Sequence, residues 1–183
     1  MAARLTHRAG RERGAVREDQ RVTGIAVTVR EAAPADLRDV ALVRALSWQA
    51  AYVGLVPDEV LESLTEPDRL ERWAASAEAW THGRTLVAEA DDRIVGFSMF
   101  GGERGTDGVS TGSPGRGEVY AIYLLPQRWR TGIGRALMHA TLDELVESGY
   151  HHVMLWVLEG NDRATEFYEH CGFAASGQRR NYD

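Results

Sequence analysis

The chain has 183 residues, 44% of them apolar, and a net charge of −6. That is enough apolar material for one domain with a sizeable core, and no run is long enough to span a bilayer or to act as a secretory signal behind the first methionine. All 21 basic residues are arginines, so no lysine side chain can act in a reaction; the single Cys171 rules out an internal disulfide and suits a reducing compartment, which makes a cytoplasmic location the expectation.

Charge is unevenly spread. Residues 1–23 hold six arginines against Glu12, Glu18 and Asp19, a balance of +3, and the remainder carries −9. A field of that sign favours a cationic partner such as an amine and disfavours nucleic acid. Residues 1–24 lack apolar periodicity and read as a disordered, arginine-rich leader, with the folded domain at 25–183.

In chain order, IAVTVR at 25–30 is a β-branched strand. Pro34 and Asp36 mark a helix start, and Leu37, Val40, Val43 and Leu46 carry that helix past Trp48 to about Tyr52. A second helix begins behind Pro57, and a third spans roughly Glu66 to Trp80. Strands at Thr85–Ala90 and Ile94–Phe100 form a hairpin about Asp91-Asp92-Arg93. Gly101 to Gly117 is rich in Gly and Ser and reads as a mobile loop.

The most informative stretch follows. Glu118–Leu124 is an apolar strand halted by Pro126, and Gly132-Ile133-Gly134 then opens a helix that ends at Ser148-Gly149. A strand, a tight glycine turn and a helix start expose backbone N–H groups at the positive end of a helix dipole, which is a phosphate site. A Walker loop is excluded because there is no lysine. A Rossmann fingerprint fits poorly: Leu137 stands at its third glycine and Met154 near its acidic ribose ligand. A buried strand at His152–Leu158, a helix from Asn161 to His170 and a strand from Phe173 complete the chain.

Two motifs carry a family resemblance. Trp129-Arg130-Thr131-Gly132-Ile133-Gly134 resembles the pyrophosphate loop Arg/Gln-x-x-Gly-x-Gly/Ala of the GNAT N-acetyltransferases, with Trp129 in place of Arg or Gln. Downstream, Asn161 to Phe173 resembles that family's N-x-x-A-x-x-F-Y-x-x-x-G-F segment. The resemblance covers roughly residues 25–177. It implies an α/β (α+β) fold with a mixed, mostly antiparallel sheet, splayed central strands and helices on both faces. It also implies acetyl-CoA as co-substrate and direct transfer to a primary amine, either a small molecule or a protein N-terminus. A non-enzymatic acyl-CoA sensor on the same fold is the alternative.

The resemblance also implies roles for particular residues. Backbone groups of Ile122, Tyr123 and Leu124 would bind pantetheine and the thioester. Arg130, Thr131, Gly132, Ile133, Gly134 and Arg135 would hold the pyrophosphate, and Asn161 the pantetheine arm. Glu118 is the candidate base and Tyr168 the candidate acid, each step being typically worth ~10²–10⁴-fold. Trp48 and Tyr52, with Trp73 and Trp80, fall where the family builds acceptor pockets. Cys171 lacks a partner pattern for nucleophilic work, and His151-His152 lacks further ligands, so no metal and no membrane or nucleic-acid partner is expected. The family usually adds one more strand after these elements, but the chain stops at Asp183. That strand is therefore truncated, short, or completed by another copy in a homodimer.

Overall fold

The computed structural model describes residues 1–10, 20–22, 25–80, 82–105, 108 and 111–181. Eight strands form one sheet: β1 (Ala2–Arg8), β2 (Gln20–Val22), β3 (Ile25–Glu31), β4 (Gly83–Ala90), β5 (Arg93–Gly102), β6 (Arg116–Leu124), β7 (His152–Leu158) and β8 (Ala174–Arg180). Their order is β2-β3-β4-β5-β6-β7-β1-β8, and every pairing is antiparallel except β6 with β7. The longer helices are α1 (Leu37–Ala51), α2 (Asp58–Ser63), α3 (Pro67–Glu78), α4 (Ile133–Glu147) and α5 (Asp162–His170).

Strand alternation sorts the core into two layers. Leu86 and Ala88 of β4 pack with Ile133, Leu137, Met138 and Leu145 of α4 on one face. Val87, between them in sequence, points the other way, joining Phe97 and Val40 and Val43 of α1. The sheet is thus covered on both faces, as the resemblance implied. The β4–β5 hairpin turns on Asp91 and Asp92, whose positive φ values of 52° and 57° suit a tight two-residue turn.

The leader expectation is corrected over Ala2–Arg8. These residues form β1, wedged between β7 and β8 and antiparallel to both. Ala2 and Leu5 are fully buried. β1 pairs with β7 in unbroken register, but its two fully buried residues are three apart and so point to opposite faces, and no period-two pattern marks the segment as a strand in sequence. Residues 11–19, 23 and 24 lie outside the described residues. The N-terminal segment thus stands between the last two strands of the chain and pairs with both.

Candidate active site

The site grows from a parting of strands. β6 and β7 run parallel and pair only from Arg116 to Glu118, opposite His152 to Met154. Beyond Glu118 they separate, while β7 stays paired to β1 along its whole length. The Leu125 N–H donates to Val95 O at 2.8 Å. In an antiparallel ladder this makes Leu124–Gly96 a non-hydrogen-bonded pair, so the amides of Leu124 and Ile122 turn toward the gap and that of Tyr123 turns back to β5. The sequence expectation of three contributing residues is thereby narrowed to two. Leu124 O is already held by Ser47 Oγ at 2.7 Å and by Trp129 Nε1 at 2.9 Å. The indole that stands where the family carries Arg or Gln thus ties the glycine loop to the strand end.

At the gap's end a single 3₁₀ turn (Pro126–Arg128) leads into the loop. Arg130 (φ 61°) and Gly132 (φ 88°) both adopt left-handed backbone, a sequence of conformations that makes N–H groups converge. Gly132 caps α4, and the first main-chain bond of the helix runs from Ala136 N–H to Gly132 O. Among the described residues the N–H groups of Gly132, Ile133, Gly134 and Arg135 donate to no main-chain carbonyl. Four amides at the head of a 15-residue helix are therefore available to a diphosphate. Thr131 Oγ1 donates to Arg128 O at 2.6 Å and fixes the loop.

α5 closes the same side. Asn161 caps it, its Oδ1 accepting from Ala164 N–H at 3.2 Å. Tyr168 is half-buried against the main core, 5.4 Å from Phe167 and 6.1 Å from Phe173. Burial first, and then its neighbour Tyr123, push the Tyr168 phenol well above its ordinary range, so the group keeps its proton. Cys171 is a buried free thiol pushed up to about 11 by burial, against the opposing pull of Arg135, and is no nucleophile at neutral pH. His151 and His152 are both exposed, and among the described residues no cluster of metal-ligating side chains occurs.

Glu118 lies at the last position where β6 pairs with β7 and is 2% exposed. Its carboxylate accepts from the main-chain N–H of Arg104 at 2.9 Å and from Arg104 Nη2 at 2.8 Å. The Arg104 guanidinium also sits 3.9 Å from the ring centre of Tyr120. Tyr120 is the extra residue of a β-bulge, since Met99 pairs with Ala121 and Phe100 with Val119. Its hydroxyl donates to Gly102 O at 2.6 Å. A side chain at Gly101 would meet that hydroxyl at 2.7 Å, so glycine is required there. Burial raises the Tyr120 phenol to about 12.

Beside this bulge lies a cavity of about 290 Å³ lined by Arg44, Trp73, Trp80, Met99, Arg104, Tyr120 and Tyr123 among others. It is Arg104, and not Glu118, that faces it. Trp73 and Trp80 line it, whereas Trp48 and Tyr52 do not. Those two stack edge to face at 4.8 Å, with Trp48 set against Tyr123 behind the wall. Arg104, Tyr120 and Arg44 are absent from the sequence reading. Arg104 sits in a loop with no periodicity, and Tyr120 reaches the cavity only because of the bulge.

A parallel strand pair that opens into a cleft, with amides at a helix head beyond it that donate to no main-chain carbonyl, is the arrangement that the resemblance implies for an acyl-CoA-dependent transferase. The comparisons give the particular family. The family model described as Acetyltransferase (GNAT) family matches residues 48–173. The uncharacterized N-acetyltransferase YuaI of Bacillus subtilis (strain 168) is 34% identical over 136 residues, 74% of this chain and 73% of that protein. A mycothiol acetyltransferase of Kocuria rhizophila is 40% identical over 88 residues, 48% of this chain but 28% of that longer protein. In fold, PaiA N-acetyltransferase from Thermoplasma acidophilum, solved with coenzyme A, superposes with a TM-score of 0.66 at 20% identity over 84% of this chain and 92% of that one. The chain belongs to the GNAT family and is an acetyl-CoA-dependent acyltransferase.

Proposed function

We propose that the protein transfers an acetyl group from acetyl-CoA directly to a primary amine, with donor and acceptor bound together. The carrying observation is the coincidence of the open β6–β7 gap with four amides at the head of α4 that have no main-chain acceptor. Bound there, acetyl-CoA would supply the activated thioester. The amides of Gly132 to Arg135 would grip its diphosphate, with Arg130 adding charge. Ile122 and the Leu124 N–H would meet the arm, and Asn161 Nδ2 would donate to it while Oδ1 keeps its capping bond. A donor fixed beforehand in a dry cleft is worth more than one in water.

The acceptor amine enters from the arginine- and aromatic-walled cavity and attacks the thioester carbon as the free base, its ammonium proton having gone to solvent. As the C–S bond breaks, Tyr168 donates its proton to the departing thiolate and is reprotonated by the proton that the new amide nitrogen sheds. Glu118 is assigned a positioning role in place of a base, because its carboxylate is engaged by Arg104 and is screened from the cavity by it. One relative is a mycothiol acetyltransferase and one structural neighbour an aminoglycoside N-acetyltransferase, so the acceptor class is argued from this chain's own cavity below. A cytoplasmic location accords with the lone free thiol of Cys171, and no described helix is long and apolar enough to cross a membrane.

The reading is tested by thiol release from acetyl-CoA against a panel of amines, alongside melting curves with CoA, ATP and NAD. Release with at least one amine and stabilisation by CoA alone are expected. Tight CoA binding with no release on any amine would support the sensor alternative, and stabilisation by ATP or NAD in place of CoA would overturn the family-based site.

A further inference from the structure

A second cavity adjoins the one beside Tyr120. A space of about 240 Å³ between α1 and α3 is lined by Ala41, Arg44, Leu64, Arg69, Leu70, Arg72 and Trp73, and it shares Arg44 and Trp73 with the cavity beside Tyr120. Arg69, Arg72, Trp73, Ser76 and Ala77 recur at spacings of three and four, so they lie along one stripe of α3, and Trp80 continues it just beyond the helix. No residue of α3 is fully buried, although the stripe carries two tryptophans. Trp73 packs one side of its ring against Phe97 at 5.9 Å, and the rest of that face stays partly exposed beside the two cavities.

The charge on that wall is one-sided. Among the described residues four arginines, at 44, 69, 72 and 104, line the two chambers, and no acid does. α3 also carries Asp68, Glu71 and Glu78, none of which lines either chamber. Arg104 is neutralised by Glu118, and Arg69 has only a loose contact with Glu66 at 3.8 Å. Arg72 makes no ion pair among the described residues. Arg44 lies over Trp48 at 4.6 Å and Trp73 at 5.5 Å, which holds its guanidinium in place between the chambers. A protein of net charge −6 has thus gathered cations on the one surface where its acceptor enters. A polycationic acceptor would be repelled there, contrary to the expectation drawn from overall charge.

We infer that the acceptor is a primary amine carrying an anionic group, a carboxylate or a phosphate, on an apolar body. The amine is directed toward the thioester gap, the apolar body lies between Trp73, Trp80 and Tyr120, and the anion lies on Arg44 and Arg72. This inference rests on the acetyl-transfer reading for its amine but not for its anion. Guanidinium groups bind both anions, often through paired hydrogen bonds, so the two sources share one recognition chemistry.

The test uses matched probes. Thiol release is compared for L-phenylalanine, L-phenylalaninamide and 2-phenylethylamine, and for tyramine O-phosphate and tyramine. Separately, calorimetry with CoA present compares N-acetyl-L-phenylalanine with its amide, a measurement that needs no turnover. The anionic member of at least one set should exceed its neutral partners in kcat/KM by about tenfold or more, the size of a charge-assisted contact. The carboxylate product should likewise bind more tightly than its amide if the carboxylate is the anion used. Arg72→Ala and Arg44→Met should each collapse these ratios while melting temperature stays near that of the parent. A phosphate-only preference identifies the source as phosphate. Release with neutral amines at equal or higher efficiency, unaffected by the two substitutions, overturns the inference and leaves acetyl transfer standing. Preferred binding of the anionic product without release on any amine upholds the anion site and sinks acetyl transfer instead.

Discussion

Glu118 and Arg104 are joined through three nitrogens of one residue: the Arg104 main-chain N–H at 2.9 Å, Nη2 at 2.8 Å and Nε at 3.4 Å, all to the Glu118 carboxylate. The contact pins the start of the loop after β5 to the last residue of β6 that pairs with β7, and it sets the Arg104 guanidinium over the Tyr120 ring. Glu118→Gln keeps the shape and removes the charge. It should lower stability by about 1.5–3 kcal/mol, the worth of a charge-assisted bond. It should also raise the KM for the acceptor and depress turnover by a similar factor at every pH. A loss confined to neutral pH and recovered in alkali would return Glu118 to the role of base.

Tyr168 is the proton donor in the proposed reaction. Burial holds its phenol protonated, and its ring is fixed between Phe167 and Phe173. Tyr168→Phe should cut kcat by ~10²–10⁴-fold, the usual range for loss of a general acid. The Kd for CoA should not move, because no diphosphate contact is lost. Pre-steady-state thiol release at saturating acetyl-CoA checks this, and full turnover in the variant would exclude the role.

The glycine loop makes a sharper claim about binding. Gly132 caps α4 at φ 88°, a conformation that costs a residue with a Cβ roughly 1–2 kcal/mol. Gly132→Val should therefore either strain the loop or rotate its amides out of convergence. CoA affinity should fall by about tenfold or more while the melting temperature drops only a few degrees. Calorimetry and thermal denaturation read the two effects separately. An unchanged Kd for CoA would mean that the diphosphate is held elsewhere.

Much of this arrangement is legible in sequence because it depends on local rules. His152–Leu158 is continuously apolar and forms β7 with the expected bounds, Pro126 ends the central strand, and Asn161 caps the helix it precedes. The glycine loop is legible for the same reason, since the left-handed conformation that Gly132 takes at the head of α4 is one that glycine adopts without steric cost. What escapes the sequence is non-local. β1 is hard to see because its buried Ala2 and Leu5 are three residues apart, on opposite faces of a strand flanked on both sides. Tyr120 faces the cavity only because a bulge turns it there, and Arg104 meets Glu118 across a loop with no pattern of its own. The arginine-lined wall needs α1 and α3 to be docked before Arg44 and Arg72 become neighbours.

β1 should prove structural and not a dispensable leader. Leu5 is 1% exposed and packs in the main core with Val153 and Leu155. Leu5→Ala leaves a cavity and should cost about 2–5 kcal/mol. For a chain of this size that amounts to a fall in melting temperature of roughly 2–4 °C per kcal/mol. Deleting residues 1–9 should have a larger effect, because it strips the hydrogen-bonding partner from both β7 and β8. A deletion variant that melts with the parent would show that the strand contributes nothing.

Glu103 supplies the pH-dependent part of the same attachment. Its carboxylate pairs with Arg4 of β1 at 2.6 Å and with Arg116 at the start of β6, while Arg4 also donates to Gln178 of β8 at 2.6 Å. Hydrogen bonding from Arg116 is the largest influence, with Arg4 adding to it, and together they hold the Glu103 carboxyl below its ordinary value of 4.5. A group whose folded pKa is depressed stabilises the protein above its unfolded pKa and loses that contribution as pH falls through the folded one. The gap in stability between the parent and Glu103→Gln should therefore be largest near neutral pH, at about 1–3 kcal/mol for a charged pair exposed on its Arg116 side. It should begin to close as pH drops below 4.5 and vanish in stronger acid. Urea denaturation of both proteins between neutral pH and about pH 3 measures the gap directly. A difference that stays constant across that range would show that the ion pairs do not hold β1 in the sheet.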